Sequence, residues 1–229
     1  DASVLGLANT DPADLARAAE VTASSTRTQL ASTTSTRTHA LSDDLALVVP
    51  ADPGVDGIEL LLTAEETAEL TVDLFDTGKP QNYLPHTRVQ STTVTVPAGT
   101  TWVHVPVRWT PAAPQNAMVV LRADPTIAVH EGAAAPTGTL TLRHRELPAD
   151  ERFTEQWRPW KQIYHARGIC FRTVEPTAAF APAKAVGGYA RPYGGPQMWI
   201  SDELSRDPSP WIELTWDDPQ ELAQVDLLF

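Results

Sequence analysis

The sequence predicts an all-β protein built as a β-sandwich or jelly roll, and three observations support this fold class. The 229 residues include 20 prolines and 12 glycines, which separate short apolar runs and indicate frequent turns. Within these runs apolar and polar residues alternate, as they do in strands with one buried face. The runs also recur at the spacing that is typical of sandwiches and jelly rolls.

The alternating pattern predicts roughly eight strands before residue 146. The predicted strands are Leu45–Val49, Ile58–Leu62, Leu70–Phe75, Thr92–Val96, Trp102–Trp109, Ala117–Leu121, Thr126–His130 and Thr139–Arg143. The short turns Ala64–Thr67 and Pro97–Thr100 each join two neighbouring strands, so both pairs are predicted to be β-hairpins. Pro106 has no backbone N–H, and its strand is therefore predicted to lie at a sheet edge.

The first residues differ in composition from the middle of the chain. Residues 1–21 are predicted to be a lead-in segment with a helical turn. Asp11 can cap this turn, Pro12 suits its first position and Asp14 favours the positive end of the helix dipole. Thr22–Thr38 is rich in Ser, Thr, Ala and Arg and predicts an exposed strand pair or a solvated loop.

Residues 147–176 interrupt the alternation. Aromatic residues there recur at helical spacing: Phe153, Trp157, Trp160 and Tyr164. The pattern predicts one aromatic stripe of a helix, kinked at Pro159, which we interpret as an aromatic-rich connector laid across a sheet. Ile169–Val174 is predicted to be a strand.

The predicted organisation therefore has four parts. They are the lead-in segment (1–21), a β-sandwich (22–146), the aromatic-rich connector (147–176) and a second β module (177–229). A strand that ends at Phe229 would leave a row of backbone donors and acceptors unpaired. We therefore expect the second module to be truncated, with its remaining strands downstream.

Charge and composition narrow the classes of function. A net charge of −12 argues against nucleic acids and anionic membranes as partners. No apolar run approaches the ~20 residues that a membrane-spanning helix requires. The only cysteine, Cys170, excludes an internal disulfide and a thiolate metal cage. It leaves the compartment open, because secreted and cytoplasmic locations are both compatible with it.

No catalytic signature occurs in the sequence, and we predict no catalytic residue and no metal ligand. Dinucleotide-binding, phosphate-loop, nucleophile-elbow and zinc-protease patterns are absent. The six histidines are scattered singly, with His86 and His104 of interest if a cleft adjoins them. Acidic pairs such as Asp43–Asp44 are predicted to be solvated turn charges rather than a catalytic carboxylate pair. Gly187–Gly188 and Gly194–Gly195 fit tight turns better than an anion or calcium cradle.

The aromatic residues give a sharper indication of binding. Sugars bind on aromatic platforms flanked by polar groups, because one face of a pyranose is apolar and its rim forms hydrogen bonds. The candidate ligand contacts are Trp102, Tyr189, Arg191, Tyr193 and Trp199. Tyr189, Arg191 and Tyr193 lie in a Gly/Pro-rich loop, the part of a rigid sandwich that most often carries binding. The alternative is that Trp199 and Trp211 fill the sandwich core.

Four short motifs follow one another near the carboxyl end. They are Ala185–Gly188, Trp199–Ser201, Trp211–Leu214 and Val225–Phe229. In this order they resemble the first half of a discoidin-type (coagulation factor 5/8 C) domain, the galactose-binding-like jelly roll also found in carbohydrate-binding modules. The resemblance implies a partial galactose-binding-like sandwich. In that family an Asp-Gly pair often lies in a calcium-binding loop where this chain has Gly187–Gly188. The carboxylate of that pair is missing at Gly187, and calcium binding is left open.

Three other motifs are spread over most of the chain: Asp11–Arg17, Phe153–Arg158 and Tyr189–Pro196. They are similar to the C-terminal region of a bacterial group of FAD-dependent oxidoreductases, in which β-sandwich appendages follow a flavin-binding domain. The resemblance implies that this chain is the appendage. FAD would then belong to the parent enzyme and no cofactor to this chain, which lacks the glycines of a nucleotide-binding fold.

We therefore expect a non-catalytic accessory region of a larger flavoenzyme that binds carbohydrate or docks on the parent flavin domain. One alternative is that the chain helps to cover the substrate of an FAD-dependent oxidoreductase acting on a sugar or glycoside. The other alternative is a structural spacer or a dimerisation domain. A yellow colour would favour the first alternative, and a size that depends on concentration would favour the second.

Overall fold

The structure, a computed structural model, describes residues 14–144, 159–162, 167–189 and 192–227. These residues form three antiparallel sheets and no α-helix, which confirms the all-β fold class. They fall into two compact units. The larger consists of Thr28–Ala179 with Pro192–Pro196, and the smaller consists of Asp1–Arg27, Phe180–Arg191 and Gln197–Phe229. The four-part division of the chain stays a prediction.

The larger unit contains two six-stranded sheets that form a β-sandwich. Sheet I consists of β2 (Ala31–Ser32), β3 (Ser35–Leu41), β5 (Val55–Ala64), β8 (Gly99–Trp109), β10 (Asp124–Gly132) and β13 (Phe171–Thr173). Sheet II consists of β4 (Leu45–Ala51), β6 (Ala68–Asp76), β7 (Arg88–Val96), β9 (Gln115–Leu121), β11 (Leu140–His144) and β12 (Trp160–Gln162). The order in sheet I is β2-β13-β5-β10-β3, with β8 on the other side of β5. The order in sheet II is β12-β11-β4-β9-β6-β7.

The two strands of each predicted hairpin lie in different sheets, so both hairpin predictions are wrong. β5 lies in sheet I and β6 in sheet II, while β7 lies in sheet II and β8 in sheet I. The strands pair instead as β5 with β8 and β6 with β7. The alternating pattern shows which face of a strand is buried. It does not show to which of the two sheets the strand belongs, because strands of both sheets bury one face against the same core.

Strand β8 confirms the prediction of an edge strand, because β5 is its only partner among the described strands. The register shifts between Asp56 and Ile58, so that Pro106 lies where the ladder is interrupted and needs no donor. The side-chain amide of Gln90 covers this stretch of edge. It donates to the Pro106 carbonyl and accepts from the Arg108 N–H, both at 2.9 Å.

The centre of sheet II is buried on both of its faces. Every residue of β4 is buried, and Ala46, Val48, Met118 and Val120 form an apolar cluster on the side away from the sandwich core. Tyr83 and Trp160 pack against this cluster. Trp160 therefore lies in a strand, β12, and the prediction that a helix carries it is wrong. The other three aromatic residues of the predicted stripe lie outside the described residues.

The smaller unit contains short elements from both ends of the described chain. Strands β1 (Glu20–Ala23) and β14 (Ile212–Thr215) form a two-stranded antiparallel sheet. Two 3-10 helices accompany it, Leu15–Ala18 and Pro182–Val186. Asp14 caps the first of these helices, since its Oδ1 accepts from the Ala16 N–H at 3.2 Å. Asp11 and Pro12, which the sequence predicts at the start of this turn, lie outside the described residues. In the part of the chain that is described, no helix has the length and apolarity to cross a bilayer.

Candidate functional site

The predicted contact residues are divided between the two units. Trp102 and Tyr193 belong to the larger unit, and Tyr189 and Trp199 belong to the smaller one. Arg191 lies outside the described residues.

Trp199 is held by its own unit through its single polar atom. The indole Nε1 donates to the Ser25 carbonyl at 2.9 Å, and the side chain is half-buried. The indole of Trp216 is held in the same way by the Leu15 carbonyl, at 2.9 Å. For Trp199 these contacts favour the interpretation of an interior residue. Trp211 is 50 % exposed, so the alternative that it fills a core is wrong.

The two tyrosines are half-buried, and each lies next to a glycine: Tyr189 follows Gly188, and Tyr193 precedes Gly194. Gly188 has a φ of +79°. The backbone N–H of Tyr193 donates to the Gly195 carbonyl at 3.0 Å, and Gly194 donates to the Pro80 carbonyl at 2.9 Å. The loop around Tyr193 is therefore a tight turn fastened to the sandwich, in agreement with the turn interpretation of Gly194–Gly195.

Trp102 is half-buried on the outer surface of sheet I, among polar and charged side chains from three adjacent strands. The register places Arg172 of β13 beside Glu59 of β5, and Glu59 beside His104 of β8. Trp102 precedes His104 by two residues, so both side chains project from the same face of β8. We call the set Trp102, His104, Glu59, Arg172, Thr63 and Thr100 the Trp102 surface.

Two contacts of Arg172 organise this surface. Its guanidinium carbon lies 4.7 Å from the centre of the Trp102 ring, which is a cation–π contact. Its Nε also donates to the Glu59 carboxylate. The ion pair holds the planar guanidinium over the indole, and such a contact contributes about 0.5–1 kcal/mol at an exposed site. An aromatic ring, a cation and an anion are thereby presented together.

A chain of hydroxyl groups continues the polar row on the same face. The Oγ1 atoms of Thr63 and Thr100 are 2.7 Å apart, and the Thr63 hydroxyl also lies 2.8 Å from Nε2 of His130. Thr63 and Thr100 face each other across β5 and β8. The Trp102 surface therefore combines an apolar ring with several hydrogen-bonding groups, the combination that sugar recognition needs.

Trp102 is among the contact residues predicted from the sequence, whereas Arg172 and Glu59 are not. The sequence shows that each is a charged residue within a predicted strand. Their proximity follows from the pairing of β13 with β5, two strands more than 100 residues apart (the separation of the Arg172–Glu59 pair is 113). A local pattern does not contain this register.

A second polar region surrounds His86, where a cleft of about 380 Å³ is lined by Thr77, Gly78, Lys79, Gln81, Asn82 and His86. Nδ1 of His86 lies 3.2 Å from Asp76 Oδ1 and 2.9 Å from the Thr87 hydroxyl. The imidazole is exposed, so solvent screens its attraction to Asp76. Asn82 orders the loop instead, because its amide donates to the Thr77 carbonyl at 2.8 Å.

The acidic pair Asp43–Asp44 is not simply solvated, contrary to the prediction. Asp44 accepts from Arg122 Nη1 at 2.7 Å and from the Ala123 N–H at 2.8 Å, while Asp43 lies 3.7 Å from Arg143. Within the described ranges, no three His, Cys, Asp or Glu side chains are grouped so that they could hold a metal ion. Comparison of the chain with protein-family models, with curated proteins and with solved structures finds no match.

Proposed function

We propose that the chain is a non-catalytic accessory module that binds carbohydrate through the Trp102 surface. The observation that carries this proposal is the Trp102 indole, which lies on a sheet face with Arg172 stacked on it and Glu59 and His104 beside it. The indole offers the apolar contact that the C–H face of a pyranose requires. The charged and hydroxyl side chains offer hydrogen bonds to the sugar hydroxyls.

The position of Arg172 defines how a sugar would bind. Because the guanidinium covers part of one indole face, the sugar would contact the remaining ring and the guanidinium together. Glu59 keeps the guanidinium in place, so little side-chain entropy is lost when the ligand binds. This mode of binding makes Trp102 and Arg172 the two residues with the largest expected effect.

The proposal is tested by retention of the full chain on polysaccharides in affinity gels, followed by calorimetry with the retained glycan. We expect Trp102→Ala to weaken binding about tenfold or more, as a central aromatic contact does. Trp211→Ala is the matched control, because it removes an exposed indole from the other unit. Equal retention of Trp102→Ala and the unsubstituted chain would exclude the Trp102 surface.

The loop residues are tested separately with the double variant Tyr189→Ala/Tyr193→Ala. Loss of retention in this variant alone would move the site from the sheet face to the loop. Unchanged retention would remove both tyrosines from the hypothesis. No retention of the unsubstituted chain on any glycan, together with a size that grows with concentration, would favour a dimerisation or spacer role.

We further propose that the parent protein is an FAD-dependent oxidoreductase, on the motif similarities of Asp11–Arg17, Phe153–Arg158 and Tyr189–Pro196 alone. The parent's own nucleotide fold would bind FAD, and this module would dock on that domain or hold a glycan near it. The purified chain is then expected to be colourless and unable to reduce a dye with a sugar. A stoichiometric flavin spectrum from this chain would overturn the accessory role and favour a substrate-covering part of the enzyme.

A further inference from the structure

Strand β3 is attached to sheet I by few apolar contacts. Its only partner among the described strands is β10, and Leu41 at its end is its only buried residue. Most of its other side chains are exposed. The attachment of β3 therefore depends on the backbone ladder and on contacts between polar side chains. Two of these contacts involve histidines, one on each face of the sheet.

His130 of β10 makes the first contact. Its Nδ1 lies 2.8 Å from the Ser35 hydroxyl and 3.3 Å from the Thr38 hydroxyl, both on β3. Its Nε2 lies 2.8 Å from the Thr63 hydroxyl on β5. The ring is buried among neutral hydroxyls, and this burial lowers the pKa of His130. The contact thus suits a neutral imidazole.

His39 of β3 makes the second contact, on the other face. Its Nδ1 lies 3.2 Å from Oε1 of Glu131, whose side chain is only 3 % exposed. Neither atom of this pair forms a well-directed hydrogen bond with any described residue. A cleft of about 230 Å³ lies beside His39 and is also lined by Asp43 and Arg143.

The charged groups around His39 come from three elements. Arg37 of β3 is paired in register with Glu131 of β10, and Arg143 belongs to β11. Burial lowers the pKa of His39; Glu131 opposes this effect, and Arg143 and Arg37 lower the pKa further. The folded arrangement thus disfavours the imidazolium form of His39.

We propose that β3 is an acid-released edge strand, which separates from β10 when His39 and His130 take up protons. In the attached form the His130 side chain is buried and the His39 side chain is 22 % exposed, and both environments disfavour the imidazolium form. When β3 is released, His39 on that strand and His130 on β10 gain access to water, and their pKa values move towards 6.5, the ordinary value for histidine. The released form therefore binds more protons below pH 6.5, and the attachment weakens as the pH falls from 6.5 through the lower pKa values of the attached state. This device goes beyond the proposed function and does not depend on carbohydrate binding.

The test is amide hydrogen exchange of the full chain at pH 7.5 and pH 5.0, corrected for the intrinsic effect of pH on exchange. We expect the protection of residues 35–41 to fall severalfold at pH 5.0, because the released form takes up protons that the attached form does not. The amides of the β6–β9 pair at the centre of sheet II are the internal reference and should keep their protection. Equal protection of 35–41 at both pH values would overturn the proposal, as would a parallel loss at β6–β9.

Matched variants distinguish the histidines from other acid effects. His39→Asn keeps a donor near Glu131 and His130→Gln keeps one near Thr63, but neither replacement titrates. The double variant should lose the pH dependence at residues 35–41 and His104→Gln, which replaces an exposed histidine on β8, should retain it. Should the double variant be misfolded by circular dichroism at pH 7.5, each single variant is expected to halve the logarithm of the effect. Persistence of the full pH dependence without these histidines would contradict the mechanism.

Discussion

The buried carboxylate Asp73 gives the sharpest stability prediction. Its side chain is 2 % exposed, and its Oδ2 accepts from Arg122 Nε at 2.8 Å and from Nη2 of the same guanidinium. Arg122 also holds Asp44 through Nη1 at 2.7 Å. Arg122→Met removes the cation but keeps most of the apolar stem, so it leaves Asp73 buried without its main partner.

The expected cost follows from the geometry. Removing one partner of a fully buried ion pair costs about 3–5 kcal/mol. Arg122 is 38 % exposed, and Arg88 remains 3.8 Å from the Asp73 carboxylate, so we expect about 2–3 kcal/mol at neutral pH. Arg108→Met is the matched control, because Arg108 is 77 % exposed and its pair with Asp56 should contribute less than about 1 kcal/mol.

The assay is urea unfolding of both variants between pH 7 and pH 4. Burial raises the pKa of Asp73, but the hydrogen bonds from Ser91 and Arg122 and the charges of Arg122 and Arg88 outweigh it, so the folded-state pKa is lowered. The original protein therefore loses this stability as the pH falls through that lowered pKa. Without Arg122 fewer interactions oppose the effect of burial, so Asp73 protonates more readily, and the deficit of the variant should shrink towards pH 4. A cost at pH 7 no larger than that of Arg108→Met would refute the reasoning.

Two further predictions concern the backbone at two glycines and the thiol of Cys170. Gly194→Ala should destabilise the sandwich by about 2 kcal/mol or more, because φ is +74° and the added Cβ would lie 2.2 Å from the Pro114 carbonyl oxygen. Gly99→Ala, with φ +93° and no atom within 4 Å, should cost only about 1 kcal/mol in urea unfolding, and equal costs would contradict the steric argument. Cys170 is buried and this burial raises the pKa of its thiol, so a thiol reagent should label it only in denaturant. Rapid labelling of the folded chain would show that the strand pair around β13 opens readily.

The eight strands predicted before residue 146 follow from the sequence, and so does the buried face of a strand such as β8. Val103, Val105 and Val107 are buried, as their alternation with exposed residues indicates. The edge position of β8 follows from Pro106, because a missing donor is a property of one residue. The placement of Trp102 can also be predicted from one strand, because it alternates with the apolar residues Val103, Val105 and Val107 and so belongs to the other face of β8.

The strand partners were decided only by the tertiary structure. β5 joins β8 instead of the next strand in sequence, and β13 brings Arg172 to Trp102 across a large separation along the chain. The same holds for the His39–Glu131 contact, which needs the pairing of β3 with β10. The alternation of apolar and polar residues indicates which side chains are buried, because the free energy of burial is a property of each side chain. The choice of partner depends on chain closure and on how two whole sheets fit over one core, so no short segment of sequence contains it.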